Sequence, residues 1–181
     1  MVGICDYMST VIWVMGLSGS GKTSVAKNVV EKLRKLNSIV VHLDGDDLRD
    51  ALQQRENYDQ SERVKLAMSY ARLSQLIANQ GPIVVVSSIG LYSKVQLWLR
   101  ENIEHYVEVL LDAPLELLLI RDKRGIYSRD PVSSGPVVGK DFPPEFPTCP
   151  DLHIFLNESV TIDSCGDRVL QKFFTGKVEV S

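Results

Sequence analysis

The residues with the clearest chemical potential form one short segment near the N-terminus. The segment matches the pattern G-x-x-x-x-G-K-[ST] at every fixed position and reads Gly16-Leu17-Ser18-Gly19-Ser20-Gly21-Lys22-Thr23. Its glycines let consecutive backbone N–H groups converge on phosphate oxygens, and the N-terminus of a following helix adds positive potential. Lys22 can reach the β- and γ-phosphates, while the Thr23 hydroxyl can coordinate Mg²⁺. Extended to Ser24, the segment predicts a nucleoside triphosphate site with Lys22 as a catalytic cation.

A second group of polar residues follows the next apolar run and reads Leu43-Asp44-Gly45-Asp46-Asp47-Leu48-Arg49. The carboxyl ends of parallel strands open onto the ligand crevice, so we expect Asp44 and Asp46 to face the phosphate loop. A carboxylate there can orient or deprotonate an attacking hydroxyl, or hold a metal-bound water. Arg49 can bind an anionic group of the substrate. We predict a catalytic role for Asp44, with a helix N-cap as the alternative, and we expect Asp46 or Asp47 to cap a following helix as well.

Apolar runs that alternate with amphipathic stretches must position these motifs. Strands are predicted at 10–15, 38–43, 83–87, 106–111 and 152–156. Helices are predicted at 22–36, 61–79, 94–103, 115–122 and 167–174. Strands separated by helices form βαβ units, which produce a parallel sheet covered on both faces. The pattern predicts an α/β fold, a three-layer α/β/α domain with a five-stranded parallel sheet, and one domain over residues 1–181.

One stretch, residues 123–150, breaks this alternation. It holds six of the eight prolines and three glycines, together with the cations Lys123, Arg124, Arg129 and Lys140. A long loop without its own structure inside a compact domain is usually functional. We interpret the stretch as a proline-rich lid that closes over the substrates; the alternative is a tolerated surface insertion.

Composition excludes several other classes of protein. Of 181 residues, 44% are hydrophobic and 24% charged, which is typical of a folded globular domain. A net charge of -3 and a pI of about 5.6 argue against a nucleic-acid binder that works by bulk electrostatics. No apolar run approaches the length of a membrane span. The cysteines Cys5, Cys149 and Cys165 lie far apart, which favours a cytoplasmic protein without a disulfide framework or a zinc site.

The phosphate motif alone does not choose among kinases, GTPases and motor ATPases. A GTPase is expected to contain an Asn-Lys-x-Asp guanine reader, which the sequence lacks. A motor ATPase is expected to close a later strand with acidic residues, and the third predicted strand ends in Ser87-Ser88 instead. The short chain, the basic loop and the acids after the second strand favour a small-molecule kinase. His42, inside the second strand, we interpret as a core or edge histidine.

Together the motifs GLSGSGKT and LDGDDLR resemble the adenylylsulfate (APS) kinase family. The similarity covers roughly residues 10–158 and continues at 107–109, 112–114, 121–127, 139–141 and 150–152. The family transfers the γ-phosphate of MgATP to the ribose 3′-hydroxyl of adenylylsulfate. The resemblance implies Mg²⁺ as cofactor, with ATP and a small nucleotide as partners, and no nucleic acid or membrane. It leaves a homodimer open.

The resemblance also implies roles for single residues. Asp44 is implied as the base and as a ligand of the metal through water, and Arg121 as the arginine that lies against the ATP adenine. The acceptor side is implied as Asp46 and Arg49 in the pocket, Tyr58 stacked on the acceptor base, Arg63 on the acceptor and Arg124 in the lid.

The sequence departs from the family pattern on the acceptor side. Leu66 stands where the family usually has an asparagine, and Ile89-Gly90-Leu91-Tyr92-Ser93 replaces Ile-Ser-Pro-Phe/Tyr-Arg. We therefore expect an adenylylsulfate kinase, with a kinase of another nucleotide, such as cytidine diphosphoramidate in polysaccharide modification, as the alternative. A non-catalytic nucleotide-binding protein is the third reading. The pathway, sulfate activation or polysaccharide modification, stays open, as does the role of Cys149.

Overall fold

A five-stranded parallel sheet forms the centre of the protein. The computed structural model describes residues 9–53, 59–122, 125–128 and 136–176. The strands are β1 Thr10–Met15, β2 Val40–Asp44, β3 Ile83–Ser87, β4 His105–Asp112 and β5 Leu152–Phe155. They lie in the order β2-β3-β1-β4-β5, and every neighbouring pair is parallel. The predicted α/β fold and its five strands are confirmed.

Helices connect the strands and cover both faces of the sheet. They are α1 Lys22–Lys35, α2 Gly45–Ala51, α3 Gln60–Ala78, α4 Ser93–Asn102, α5 Leu115–Ile120 and α6 Ile162–Thr175. None of the helices in these described ranges has both the length and the apolar character that a bilayer span requires.

The strands at the centre of the sheet are buried on both faces, which explains their continuous apolar sequence. Every residue of β1 and β3 is buried. On one face Ile12 and Val14 pack with buried residues of α1 and α6. On the other face Val11 and Trp13 pack with buried residues of α3 and α4. The two layers of helices hold the sheet in place, and the site lies at the carboxyl ends of its strands.

Two helices differ from the sequence prediction. The short helix α2 was expected only as a helix without bounds that Asp46 or Asp47 would cap, because its Gly/Asp-rich sequence is also typical of a turn. The last helix begins at Ile162 rather than at residue 167. The Thr161 side chain caps it by accepting the N–H of Ser164 at 3.1 Å, a signal that the apolar periodicity does not contain.

The described part of the predicted lid lies against α4. In residues 136–150, the Glu145 N–H donates to the Leu91 carbonyl at 3.1 Å, and the Gln96 amide donates to the Glu145 carbonyl at 2.8 Å. Residues 123, 124 and 129–135 lie outside the described residues. That this stretch closes over substrates stays a prediction.

Candidate active site

Residues 16–23, named here the phosphate-type loop, connect β1 to the first turn of α1. Backbone conformations that favour glycine shape this segment. Gly21, directly before α1, has a φ of 87°, in the left-handed region where a side chain is strained. The first turn of α1, residues 22–25, contains no acidic side chain. The positive potential of the helix N-terminus is therefore not neutralised from within its own first turn.

Two side chains donate hydrogen bonds to backbone carbonyls of this loop. Lys22 Nζ donates to the Leu17 carbonyl at 2.8 Å, and Tyr127 Oη donates to the Ser18 carbonyl at 2.8 Å. Tyr127 is buried, and burial raises its pKa to about 12, so the phenol stays protonated and able to donate. This tyrosine anchor, Tyr127, lies in the segment 121–127, where the sequence is similar to the family. The sequence does not predict its contact with the phosphate-type loop.

The side chain of Asp122 holds the backbone of this tyrosine. Its carboxylate, just after α5, accepts the backbone N–H groups of Ile126 and Tyr127 at 2.7 and 2.8 Å. Asp122 therefore connects the end of α5 to the tyrosine that contacts the phosphate-type loop.

Asp44 is the carboxylate at the centre of the site. It ends β2, is buried, and accepts three hydrogen bonds. Thr23 Oγ1 and Ser87 Oγ donate to its Oδ2 at 2.7 and 2.6 Å, and the Asp46 N–H donates to its Oδ1 at 2.9 Å. The sequence prediction that Asp44 faces the phosphate loop agrees with this contact to Thr23.

The helix cap predicted at Asp46 or Asp47 is wrong, because Asp44 caps α2 itself. Its backbone is extended, with φ -92° and ψ 137°, and its side chain binds the second N–H of the helix. Asp46 and Asp47 already lie in the first helical turn. One carboxylate thus both caps a helix and binds the phosphate-type loop.

The acceptor-side residues that could be described meet in a single cavity of about 610 Å³. Such a volume is in the range of small-molecule sites. Its walls include residues of the phosphate-type loop and of the acceptor side: Lys22, Thr23, Asp46, Arg49, Arg63 and Tyr92. All six of these residues except Tyr92 are site residues predicted from the sequence. Tyr92 is there only the aromatic residue of the loop after β3.

The two arginines of the cavity are held by different partners. Arg49 forms an ion pair with Asp46 one turn earlier on α2. Arg63, in the first half of α3, donates to the Pro136 carbonyl at 2.7 Å. Tyr92 is buried beside them; burial raises the pKa of its phenol, and the charges of Arg63 and Arg49 oppose that shift. The cavity therefore places two guanidinium groups near a neutral phenol, a set that suits an anionic substrate group.

Asp44 is buried and does not itself line the cavity, although its partners Thr23 and Ser87 do. Arg121 lies at the exposed C-terminal end of α5 and does not line the cavity. Tyr58 and Arg124 lie outside the described residues. Their predicted roles are not tested.

In the loop after β3, close packing at Gly90 accounts for one departure from the family pattern. Gly90 has a φ of 60°, and a Cβ at this position would lie 2.6 Å from Trp13 Nε1. A serine does not fit there unless the tryptophan moves. The N–H of Ser93 donates to the Glu145 carboxylate at 2.6 Å, and Leu66 gives the cavity an apolar wall. The substitutions thus leave this loop and α3 without the serine, arginine and asparagine side chains of the family pattern.

A strand, a glycine-rich loop and a helix N-terminus that face the end of a parallel sheet are the arrangement of P-loop proteins. The cavity that this loop shares with Arg49 and Arg63 gives the chain the fold and the kind of site that P-loop kinases have.

Comparison with known proteins agrees and gives the family. A profile of the family described as adenylylsulphate kinase matches residues 8–155. The adenylyl-sulfate kinase of Synechococcus sp. (strain JA-3-3Ab) is 31% identical over 163 residues, which are 88% of this chain and 91% of the relative. The cytidine diphosphoramidate kinase of Campylobacter jejuni is 31% identical over 119 residues, 66% of this chain and 69% of the relative.

Among solved structures, the Mycobacterium tuberculosis APS kinase CysC in complex with AMPPNP and APS superposes with a TM-score of 0.83. It is 28% identical, and the match covers 92% of this chain and 98% of that one. The chain belongs to the adenylylsulfate kinase family. It is a kinase, an enzyme that transfers a phosphoryl group to a hydroxyl group.

Proposed function

We propose that the protein transfers the γ-phosphate of ATP to a ribose hydroxyl of a small nucleotide. The observation that carries this proposal is the position of Asp44, whose carboxylate accepts hydrogen bonds from Thr23 and Ser87, two residues that line the cavity containing Arg49 and Arg63. A carboxylate between the two substrates is well placed to orient the attacking hydroxyl and to accept its proton.

In this proposal the phosphate side stabilises charge. Lys22 and the backbone N–H groups of residues 16–23 bind the phosphate oxygens on which negative charge develops during transfer. Arg121 lies against the adenine of ATP. On the acceptor side Asp46, Arg49 and Arg63 bind the nucleotide, with Tyr58 and Arg124 completing the set that the family resemblance implies.

The residues present fit Mg²⁺ as the cofactor. Within the described ranges, no three His, Cys, Asp or Glu side chains are grouped so that they could hold a metal ion. Mg²⁺ needs no such group, because it is commonly bound by one or two side chains together with waters and substrate phosphates. Thr23 donates its only hydroxyl proton to Asp44, which leaves its oxygen to act as a ligand, and Asp44 would bind the ion through water. The ion supplies positive charge that neutralises the phosphates during transfer.

Adenylylsulfate is the first candidate for the acceptor. The family profile and the relatives that match most of the chain support it. Arg49 and Arg63 are also suited to the anionic sulfate or phosphate of such a nucleotide.

Cytidine diphosphoramidate is the second candidate, and one structural observation favours it. The loop after β3 packs Gly90 on Trp13, so that the cavity has neither the hydroxyl nor the guanidinium of the usual family loop. A site that loses polar groups made for one substrate changes which substrate it favours. The Campylobacter jejuni relative carries that acceptor in its name.

The test is a comparison of kcat/KM for adenylylsulfate and for cytidine diphosphoramidate at one fixed MgATP concentration. A value of about 10⁴ M⁻¹s⁻¹ or more for one of them, on the general scale of enzymes, would identify the acceptor. ATP binding without ADP release on either acceptor would instead support the non-catalytic reading.

A further inference from the structure

A hydrogen-bonded chain leads from the central carboxylate to the edge of the sheet. Ser87 Oγ donates to Asp44 Oδ2 at 2.6 Å, and His42 Nε2 lies 2.9 Å from the same Ser87 oxygen. The register of the sheet produces this chain, since Asp44 of β2 pairs with Ser87 of β3, two residues after His42. Side chains two residues apart on a strand point to the same face.

The number of protons in this chain decides the direction of each hydrogen bond. An ionised carboxylate only accepts, so Ser87 must give its single hydroxyl proton to Asp44. The Ser87 oxygen can then only accept from His42, and Nε2 must carry the proton. The ordered sequence is therefore His42 Nε2–H to Ser87 Oγ, and Ser87 O–H to Asp44 Oδ2.

We propose that His42 is a positioning residue for Asp44: its Nε2–H fixes the Ser87 hydroxyl so that the serine proton stays directed at the carboxylate. The inference rests on the proposed function of Asp44. His42, which the sequence predicts to be a core or edge histidine, thus has a role in the site.

The surroundings of His42 hold its ring in place. The ring is half-buried on the edge strand β2 and lines a surface cavity together with Lys27 and Arg34 of α1.

The contact matters because a donor on the Ser87 oxygen strengthens the hydrogen bond that the same hydroxyl gives to Asp44. Without His42, one of the three hydrogen bonds to the Asp44 carboxylate, the one from Ser87 to Oδ2, is weakened. The carboxylate is then less well fixed toward the hydroxyl that it orients. Loss of one such bond corresponds to a decrease in kcat of about 5- to 10-fold.

The first test is spectroscopic and does not depend on turnover. The sequence has three histidines, so ¹⁵N-histidine spectra of the full chain are simple, and the signal missing in His42→Gln identifies His42. We expect the Nε2–H tautomer for His42 and a clear change of its signal in Ser87→Ala. The Nδ1–H tautomer, or a signal that does not respond to Ser87→Ala, would overturn the proposal.

The second test is kinetic, with the better of the two acceptors. His42→Leu is expected to lower kcat about 5- to 10-fold with little change in the KM for ATP. His42→Gln places an amide N–H near the position of Nε2 and should retain most of kcat, a rescue that a packing role would not give. It also replaces His42→Leu if that variant does not fold, as judged by thermal unfolding.

The matched control is His153→Leu. His153 lies on the opposite edge strand, β5, and its Nε2 is 3.0 Å from a carboxylate oxygen of Asp112. This variant removes the same kind of contact outside the cavity and should leave kcat within about twofold.

A double-mutant cycle shows whether His42 acts through Ser87. If it does, His42→Leu causes no further loss in the Ser87→Ala background, whereas additive losses would contradict the inference. Full activity of His42→Leu beside a strong loss in Asp44→Asn would overturn the positioning role alone. An inactive wild type, or an Asp44→Asn variant with full activity, would overturn the proposed function and the positioning role with it.

Discussion

The two sides of the cavity are built in different ways. In the proposed function, the phosphate side is a contiguous segment that binds through its backbone N–H groups and a helix N-terminus, together with Lys22 and Thr23. The acceptor side is assembled from side chains of separate elements: Arg49 on α2, Arg63 on α3, and Tyr92 beside α4. The first kind of site tolerates little change, whereas the second can change one side chain at a time.

This difference explains where the chain departs from its family. The phosphate side retains the complete pattern, and the acceptor side has Leu66, Gly90 and Ser93 where the family pattern has an asparagine, a serine and an arginine. A change on the acceptor side alters which hydroxyl is phosphorylated and leaves ATP chemistry intact. Family membership therefore determines the reaction more firmly than it determines the acceptor.

The largest loss is expected from Lys22→Ala. The variant removes the main side-chain cation from the transferred phosphoryl group, so kcat should fall by about 10³-fold or more while the protein stays folded. The measurement is ADP release at saturating substrates, with circular dichroism as the check of folding.

Lys35→Ala is the matched control for this variant. Lys35 ends the same helix, pairs with Glu31 and lies away from the cavity. Its removal should leave kcat unchanged. Near-normal turnover in Lys22→Ala would contradict the assignment of the loop.

Asp44→Asn should give the second largest loss and test the junction between the two sides. The amide cannot take a proton, and its NH₂ group would meet the donors of Thr23 or Ser87. We expect kcat to fall by about 10²- to 10³-fold and the Kd for ATP, measured by calorimetry, to change only a few-fold.

Asp47→Asn serves as the control, since Asp47 is exposed in the first turn of α2. It should behave like wild type. Equal losses of kcat and of ATP affinity in Asp44→Asn would instead show that Asp44 mainly caps α2.

Arg63→Ala separates the acceptor side from the phosphate side. It removes a cation from the cavity wall, so the KM for the acceptor should rise about 10- to 50-fold while the KM for ATP stays within about twofold. The control is Arg72→Ala, because Arg72 lies on the same helix over the ring of Trp98, 5.9 Å from its centroid, and away from the cavity. A rise in both KM values would contradict the division of the cavity into two sides.

The sequence predicts the elements whose signal is local. Continuous apolar runs place β1 and β3 at the residues where the structure has them, because both strands are buried on both faces. The bounds and the cap of α2 were missed, because a helix of seven residues has too short an apolar period to detect and its cap is Asp44. The start of α6 was missed because its signal is the Thr161 cap.

The same holds for the site: a contiguous segment can be predicted from the sequence, whereas contacts between distant residues cannot. The phosphate-type loop is contiguous, so its pattern can be recognised residue by residue. The His42–Ser87–Asp44 chain depends on the register of β2 against β3, which no spacing in the sequence reveals. The contact between Tyr127 and the Ser18 carbonyl joins residues 109 positions apart and could be found only from the fold.

The smallest effect is expected from Tyr127→Phe, which tests how the phosphate side is held from outside its own segment. The ring stays packed, but the hydrogen bond from Oη to the Ser18 carbonyl is lost. One such bond stabilises a loop by about 1 kcal/mol, which corresponds to a rise of about 2- to 5-fold in the KM for ATP with the acceptor KM unchanged.

Tyr106→Phe is the matched control, because its phenol donates to Glu108 at 3.1 Å, away from the cavity. Both variants should lose a similar, small amount of thermal stability, and only Tyr127→Phe should weaken ATP binding. If Tyr106→Phe raised the KM for ATP as much, the effect would be one of general stability and the tyrosine anchor would have no specific part in the phosphate site.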